Sequence, residues 1–515
     1  MKVNFSHPTL SAILPLPCLR GAYLVGGAVR DIASGKKPVD RQREISDIDL
    51  AVPGSAEAVC REVAEALGGT AFVLDRDRDV WRVSLPEDGH VDIVTLSPGP
   101  YKPLPPRPPL PPAGEGGDNL NLSPRRERAW GGEAILADLS ARDFTIDAMA
   151  LSLDDLRRRK KSRSSFDIVD PFGGLKDMQR RLVRALSKKA LSDDPLRMLR
   201  AFRLANQLGF KIEENTLRYI RELTVFIDKT SQERIRDEIY VMLETPDSWR
   251  AFRAMADAGI LENILPETKK MRALPQGEAH KYDLLGHSLK AMEYAESVMR
   301  DARKHFGVWS PQVSSYLMQR IDGNLTAMGL IKLAALLHDS GKPPTMFIDT
   351  GRIRFTGHDI KGTEINEMAA ERLKMSSKAK ELLSLTARHH MRPLHMSKQR
   401  ITGHAIYRYC RDIGPHLPAS LIIALADAFA TREKPESIAT DIEGVAAGIA
   451  EYYYGEFLRE EERPLLRGRD LIEELNLPPG PMFSRFLEDI REKRAEGIIK
   501  TRDEALEYVK NLSRK

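Results

Sequence analysis

Between residues 22 and 96, short β-branched runs alternate with stretches whose apolar positions recur at helical spacing. The runs "AYLVGG", "DIDLAV", "TAFVLD", "VWRVSL" and "HVDIVTL" read as strands, and "AEAVCREVAEALGG" reads as a helix closed by glycine. The pattern predicts a mixed α/β domain with a small sheet. Residues 97–128, "SPGPYKPLPPRPPLPPAGEGGDNLNLSPRRER", are too rich in Pro and Gly to continue either element and are expected to form a surface insertion. Strand character returns in "DFTIDAMALSL" and "FDIVDPFGG", which flank "RRRKKSR" as a hairpin with a basic tip. From Pro195 onward helical periodicity dominates, with breaks near 265–277, 307–325, 343–357 and 463–468. Nothing repeats at a fixed period, which argues against a solenoid.

Composition narrows this picture. A chain of 515 residues is too long for one core, and 42% hydrophobic with 30% charged residues suits a globular protein rather than a disordered one. The three cysteines, Cys18, Cys60 and Cys410, form no CxxC pair and no disulfide framework, so a reducing, cytoplasmic setting is expected. The proline-broken start "MKVNFSHPTLSAILPLPCLRG" makes a poor signal peptide, and no uninterrupted apolar run approaches bilayer length, so no membrane partner is expected. A net charge of +5 permits nucleic-acid binding without requiring it.

The first chemical centre is "SDIDLAV". Asp47 and Asp49 are two apart on a strand and so project from one face, where two carboxylates repel unless a cation lies between them. Upstream, "LVGGAVRD" ends a strand in Gly26 and Gly27 and opens a helix carrying Arg30. Glycines at such a turn let backbone N–H groups approach a phosphate, and the helix N-terminus favours negative charge. A glycine turn beside paired carboxylates is a triphosphate cradle next to a Mg²⁺ site. Asp92, in "HVDIVTL", is a candidate third metal carboxylate.

The ordered set "LVGGAVRD", "DIDLAV", "ARDFTIDAMA", "DPFGGLKDMQRRLVRAL", "DDPLRMLRAFRLANQLGF" and "ERIRDE" resembles the bacterial (class II) tRNA nucleotidyltransferase family, which includes bacterial poly(A) polymerases. The resemblance implies a multidomain α+β chain: a polymerase-beta-like nucleotidyltransferase head followed by an all-α neck, later domain and tail helices. It implies template-independent addition of C and/or A from CTP and ATP to the tRNA 3′ end. It also implies that Arg142 and Asp143 serve sugar recognition and support of the head, and that Asp194 and Arg197 select the base. Cytosine and adenine both offer an amine beside a ring-nitrogen acceptor, which a carboxylate and a guanidinium match. Arg200 and Arg203 continue that helix face towards phosphates, and Glu233, Arg234 and Glu238 brace the neck. Two departures stand out. Ala141 replaces an arginine, and Asp147 replaces an asparagine, placing an added carboxylate by the sugar pocket.

Histidine marks the second centre, since all but His7 and His90 of the twelve lie after residue 279. His287, His338, Asp339, His358, the pair "HH" at 389–390 and Asp427 fall on successive predicted helices, and His389 is taken as the ligand from that pair. Imidazoles with carboxylates suit Mn²⁺, Fe²⁺ or Ni²⁺, with Mg²⁺ admissible. The series resembles an HD-type phosphohydrolase domain, which implies metal-hydroxide attack on a phosphoester with Lys342 facing the phosphate. The expected domains are a head at 1–186 containing the 97–128 insertion, a neck at 187–275, an HD domain at 276–440 and a tRNA-binding tail at 441–515. The tail helices are joined by a Pro479–Gly480 turn. The alternatives are an A-adding-only or CC-adding-only enzyme, a poly(A) polymerase, or chiefly an HD metallophosphohydrolase with a vestigial head.

Overall fold

The computed structural model describes residues 8–34, 47–86, 89–96, 132–158, 167–277, 281–398, 401–431 and 436–513. Of Asp47 the description covers the backbone, and the expectation for 97–128 lies outside the described residues. The chain divides into two compact units, 1–223 and 224–515. That division falls inside the expected neck.

The first unit is built on a seven-stranded mixed sheet. Its strands are β1 (Tyr23–Val25), β2 (Asp47–Val52), β3 (Thr70–Asp75), β4 (Val80–Ser84), β5 (His90–Thr95), β6 (Ala150–Ser152) and β7 (Ile168–Val169), in the order β3-β4-β5-β2-β1-β6-β7. Only β2 and β5 run parallel; the remaining neighbours are antiparallel. Alternation along the strands separates the two faces. Leu24, Ile48, Leu50, Val91, Ile93 and Leu151 pack with the helices α1 (Pro8–Ile13), α2 (Gly27–Ser34) and α3 (Ala56–Leu67) in the larger core. Helix α3 has a clear reason to start and stop where it does. Ser55 accepts from the Ala58 N–H at its N-cap, and Gly68 closes it at φ +66°. On the opposite face Val25, Ala51 and Ala150 pack with Ile135 and Leu139 of α4 (Gly132–Ser140). Asp47, Asp49 and Asp92 belong to this second face by register.

The expected hairpin is modified. β6 and β7 do pair, but Leu153–Arg158 between them forms a short helix with Asp154 and Asp155 in its first turn and two arginines in its last. Arg157 is not a free basic tip: it donates to the carbonyls of Leu14 and Leu16 and pairs with Asp154. The expectation for 159–163 lies outside the described residues.

The second unit is helical, with two-stranded ribbons at Arg320–Asp322 with Leu325–Thr326 and at Phe347–Asp349 with Arg352–Arg354, where the periodicity breaks. Helices Leu284–Arg300, Ala327–Leu337 and Leu417–Thr431 pack on one another at its centre. The helical stretch Gly403–Thr431 is long and apolar enough to cross a membrane, yet its most apolar window is 89% buried inside this unit. The C-terminal helices enclose a small core of Leu466, Leu471, Phe486, Ile490 and Val509, and the turn at 478–481 separates helices Gly468–Glu473 and Met482–Ala495 as expected.

Candidate functional site

In the first unit the strand β1 runs into the Gly26–Gly27 turn and then α2. Gly26 sits at φ +72°, and a Cβ there would come 2.6 Å from Asp49 Oδ2 and 2.9 Å from Arg142 Nη1. The missing side chain therefore leaves a cradle between the glycine turn, one carboxylate of the DxD pair and a guanidinium. Val25 on β1, Asp49 on β2 and Asp92 on β5 lie in one row across the sheet. Asp47 is two residues back along β2, opposite His90. Asp49 and Asp92, on neighbouring strands of this face, offer hard carboxylate oxygens of the kind that a divalent ion takes.

Several expected ligands are engaged in other ways. Asp92 accepts from Arg82 Nε and Nη2 at 2.7 and 2.8 Å. Arg30, expected at the triphosphate, donates to Asp147 Oδ1 at 2.6 Å and to Asp31 at 3.1 Å, and its side chain is nearly buried. The unusual Asp147 is thus the counter-ion of Arg30. Arg142 pairs with Asp138 at 3.0 Å. Asp143 is buried and pairs with Arg200 at 2.7 Å. Burial works against its charge, but Arg200 and Arg197 hold its carboxyl below the ordinary range. Arg203 donates to Gln207 at 3.0 Å. Arg200 is thus engaged by Asp143, and Arg203 by Gln207.

Asp194 and Pro195 lead into helix Leu196–Leu208, with Pro195 at its N-cap. Arg197 donates to the backbone carbonyls of Ala190 at 3.2 Å and Ala141 at 2.9 Å. The departure at position 141 is therefore tied to Arg197 through the main chain. In the second unit, Glu233 lies in the first turn of helix Gln232–Leu243, whose N-cap is Ser231.

The second unit gathers the histidine series into two groups that share Asp339. His287, His338, Asp339 and Asp427 offer ligand atoms all within 4.8 Å of one another, as do Asp339, His358 and His390. The arrangement has a local cause. Nδ1 of His338, His358 and His390 bonds the carbonyl three residues earlier, Ala335, Phe355 and Ala387, at 2.8, 2.8 and 2.7 Å. A carbonyl can only accept, so each ring carries a proton on Nδ1 and turns Nε2 inward. None of these three Nε2 atoms, and neither oxygen of Asp339, has a well-directed hydrogen bond, although all are buried. Such a donor set fits one or two divalent ions.

Electrostatics agree with this reading. Burial works to raise the carboxyls of Asp339 and Asp427, but the facing imidazoles hold both well below the usual range, with Lys342 adding to the effect on Asp339. Burial pushes His287 down, whereas Asp339 and Asp427 pull His338 up to about 10 against its burial. Two acids among neutral and charged imidazoles make a site that a cation can enter by displacing protons.

The ligand expected at His389 is corrected to His390. His390 Nε2 lies 3.5 Å from Asp339 Oδ1, whereas His389 stands in neither group. Successive helical residues differ by about 100°. His390 shares the phase of buried Ala379, Leu383 and Ala387, while burial and Arg392 drive His389 down to about 4 on another face. Lys342 also differs from expectation. Its Nζ sits 2.6 Å from Asp339 Oδ2 and donates to Gln276 Oε1 at 2.9 Å, so it is held among protein groups. Gln276 was not indicated by any sequence pattern, because it lies in an irregular stretch.

Comparison with known proteins gives the class first. Residues 118–184 match the poly A polymerase head domain, 209–271 the probable RNA and SrmB-binding site of polymerase A, and 284–432 the HD domain. A sheet with a glycine turn against paired acids, followed by a His/Asp metal centre on helices, is thus a nucleotidyltransferase carrying an HD domain. The chain is 31% identical to an A-adding tRNA nucleotidyltransferase of Deinococcus radiodurans, covering 96% of both chains. It is 28% identical to a CC-adding tRNA nucleotidyltransferase of Geobacter sulfurreducens, covering 98% of this chain and 97% of that one. The chain belongs to the bacterial-type tRNA nucleotidyltransferase family.

Solved structures share its fold. One is a CCA-adding enzyme with CTP, at a TM-score of 0.63 and 20% identity, covering 99% of this chain and 97% of that one. Another is the Thermotoga maritima CCA-adding enzyme complexed with tRNA, at 0.60 and 20%, with the same coverage.

Proposed function

We propose that this chain adds C, A or both, from CTP and ATP, to the 3′ end of tRNA without a nucleic-acid template. The observation that carries the reading is the meeting of Gly26, Asp49 and Arg142 at one strand-to-helix turn, in a chain whose full-length relatives carry that activity in their names. Asp47 and Asp49 would hold Mg²⁺, with Asp92 alongside. Bound there, the metal would polarise the α-phosphate and neutralise departing pyrophosphate. The chain's own contribution is positioning. The N–H groups of the Gly26–Gly27 turn meet the triphosphate, and Arg142 stands across the cradle from them. Arg30, clamped to Asp147 beneath Gly27, stiffens the turn from behind. Asp194 and Arg197 present a carboxylate acceptor and a guanidinium donor to the pairing edge of the base. The RNA 3′-hydroxyl attacks the α-phosphorus, an O–P bond forms, and the bond to pyrophosphate breaks.

The HD centre supports a second activity of the same chain. His287, His338, Asp339, Asp427, His358 and His390 would hold Mn²⁺, Fe²⁺, Ni²⁺ or Mg²⁺ for hydrolysis of a phosphoester. The three imidazoles already fixed in one tautomer support that reading.

The test offers labelled CTP or ATP separately to tRNAs that lack the CCA end, that end in CC, or that are complete. Incorporation confined to incomplete tRNA is expected. ATP taken only by tRNA ending in CC defines an A-adding enzyme, and CTP alone taken by the truncated tRNA defines a CC-adding one. Long A tails on unrelated RNA overturn the reading in favour of a poly(A) polymerase. No incorporation into any RNA overturns it altogether.

A further inference from the structure

Three neighbouring strands place Arg82, Asp92 and Asp49 in a single row on the α4 side of the sheet. Arg82 on β4 is the register partner of Asp92 on β5, and Asp92 is the parallel register partner of Asp49 on β2. Both oxygens of Asp92 accept from the Arg82 fork at 2.7 and 2.8 Å, while the two side chains are 29% and 19% exposed. Strands sit about 4.8 Å apart, so Asp49 and Asp92 are like charges at close range. The Arg82 guanidinium is the cation held on Asp92. A two-pronged hold of this kind is directional and stronger than a single ion pair.

We propose that Arg82 is a tethered competitor of the divalent ion at the head, gating the use of Asp92 as a metal ligand. The proposal rests on the nucleotidyltransferase reading of the head. A metal shared between Asp49 and Asp92 has to take an oxygen of Asp92 that Arg82 now occupies. Metal binding is therefore an exchange of cations on Asp92, and one of the row's two negative charges stays offset while the metal is away. The chain accordingly gives up part of its metal affinity to avoid a stack of bare acids. Arg82 is here a positioning residue acting through Asp92.

The test counts Mn²⁺ bound to the full chain by electron paramagnetic resonance, the head component being the part lost in Asp49→Ala. Arg82→Gln is expected to tighten that component about three- to tenfold, the size set by removing one positive charge beside the ion in a partly wet site. Adding Asp92→Asn to Arg82→Gln is expected to abolish the gain. Arg82→Lys, which keeps the charge but loses the fork, is expected to tighten binding about twofold and decides the matter if Arg82→Gln does not fold. Unchanged or weaker Mn²⁺ binding in the folded Arg82 variants overturns the proposal, as does a gain that survives loss of Asp92. These outcomes are separate from the parent reading, which falls if the wild-type chain incorporates no nucleotide or if Asp49→Ala keeps incorporating it.

Discussion

Single charged residues in this chain are set by what they face, and Asp143 shows it most directly. It is buried against Arg200 and Arg197, with the Phe144 N–H donating to it at 3.0 Å. Asp143→Asn is expected to destabilise the protein by about 2 kcal/mol at pH 7, since Arg200 is left without its charged partner but is partly screened by water. The carboxyl is depressed in the folded state. Its contribution is therefore complete above the unfolded value near ~3.9 and is lost as pH falls through the folded value. The stability gap between wild type and Asp143→Asn, read from denaturant melts, should hold constant from about pH 7 to pH 5 and close below about pH 4. A gap that widens in acid would contradict the assignment. At this scale the sequence reveals which residues carry chemistry but not which way they turn. The spacing of Asp47 and Asp49 was legible because a strand has a period of two. The Arg30–Asp147 and Arg82–Asp92 pairs were not, because each joins positions whose contact depends on the fold. The choice between His389 and His390 was available in principle from the phase of Ala379, Leu383 and Ala387.

At the scale of elements, close backbone contacts decide where ligands sit. Gly341 follows the His338–Asp339 pair, and a Cβ there would meet His358 O at 2.0 Å and Gly362 N at 2.4 Å. Both are main-chain atoms of helix His358–Arg372 and cannot swing aside. Gly341→Ala must therefore push back the helix start that carries His358. The expected result is loss of the metal held by Asp339, His358 and His390, with the group containing His287 and Asp427 retained, and a stability loss of about 2 kcal/mol. Metal content per chain after dialysis, measured by inductively coupled plasma spectrometry, checks it. An unchanged metal count would remove His358 from the ligand set. The strands and core helices were legible from periodicity. The short helix at Leu153–Arg158 and the two ribbons of the second unit were not, since elements of two to six residues carry too few positions to show a period.

Across the whole molecule, a nucleotidyltransferase head and an HD domain share one chain. The head carries candidate oxygen ligands on a sheet, and the helical unit carries candidate nitrogen and oxygen ligands on helix ends. Their order along the chain was legible because each set of motifs is local in sequence. Compactness divides the chain at 223/224, whereas the expected domain breaks fall at 186, 275 and 440. Both sides of the compact division are helical, so no change of pattern marks it. Oxygen-rich and imidazole-rich centres differ in their metals, and damage to one should leave the chemistry of the other in place. The most direct measurement of the central claim is Mg²⁺-dependent incorporation of labelled nucleotide into tRNA by the wild type, Asp49→Ala and Asp339→Ala, all checked for folding. The account predicts at least a thousandfold loss of incorporation in Asp49→Ala and near-wild-type incorporation in Asp339→Ala. Incorporation that survives in Asp49→Ala, or that disappears with Asp339, would contradict it.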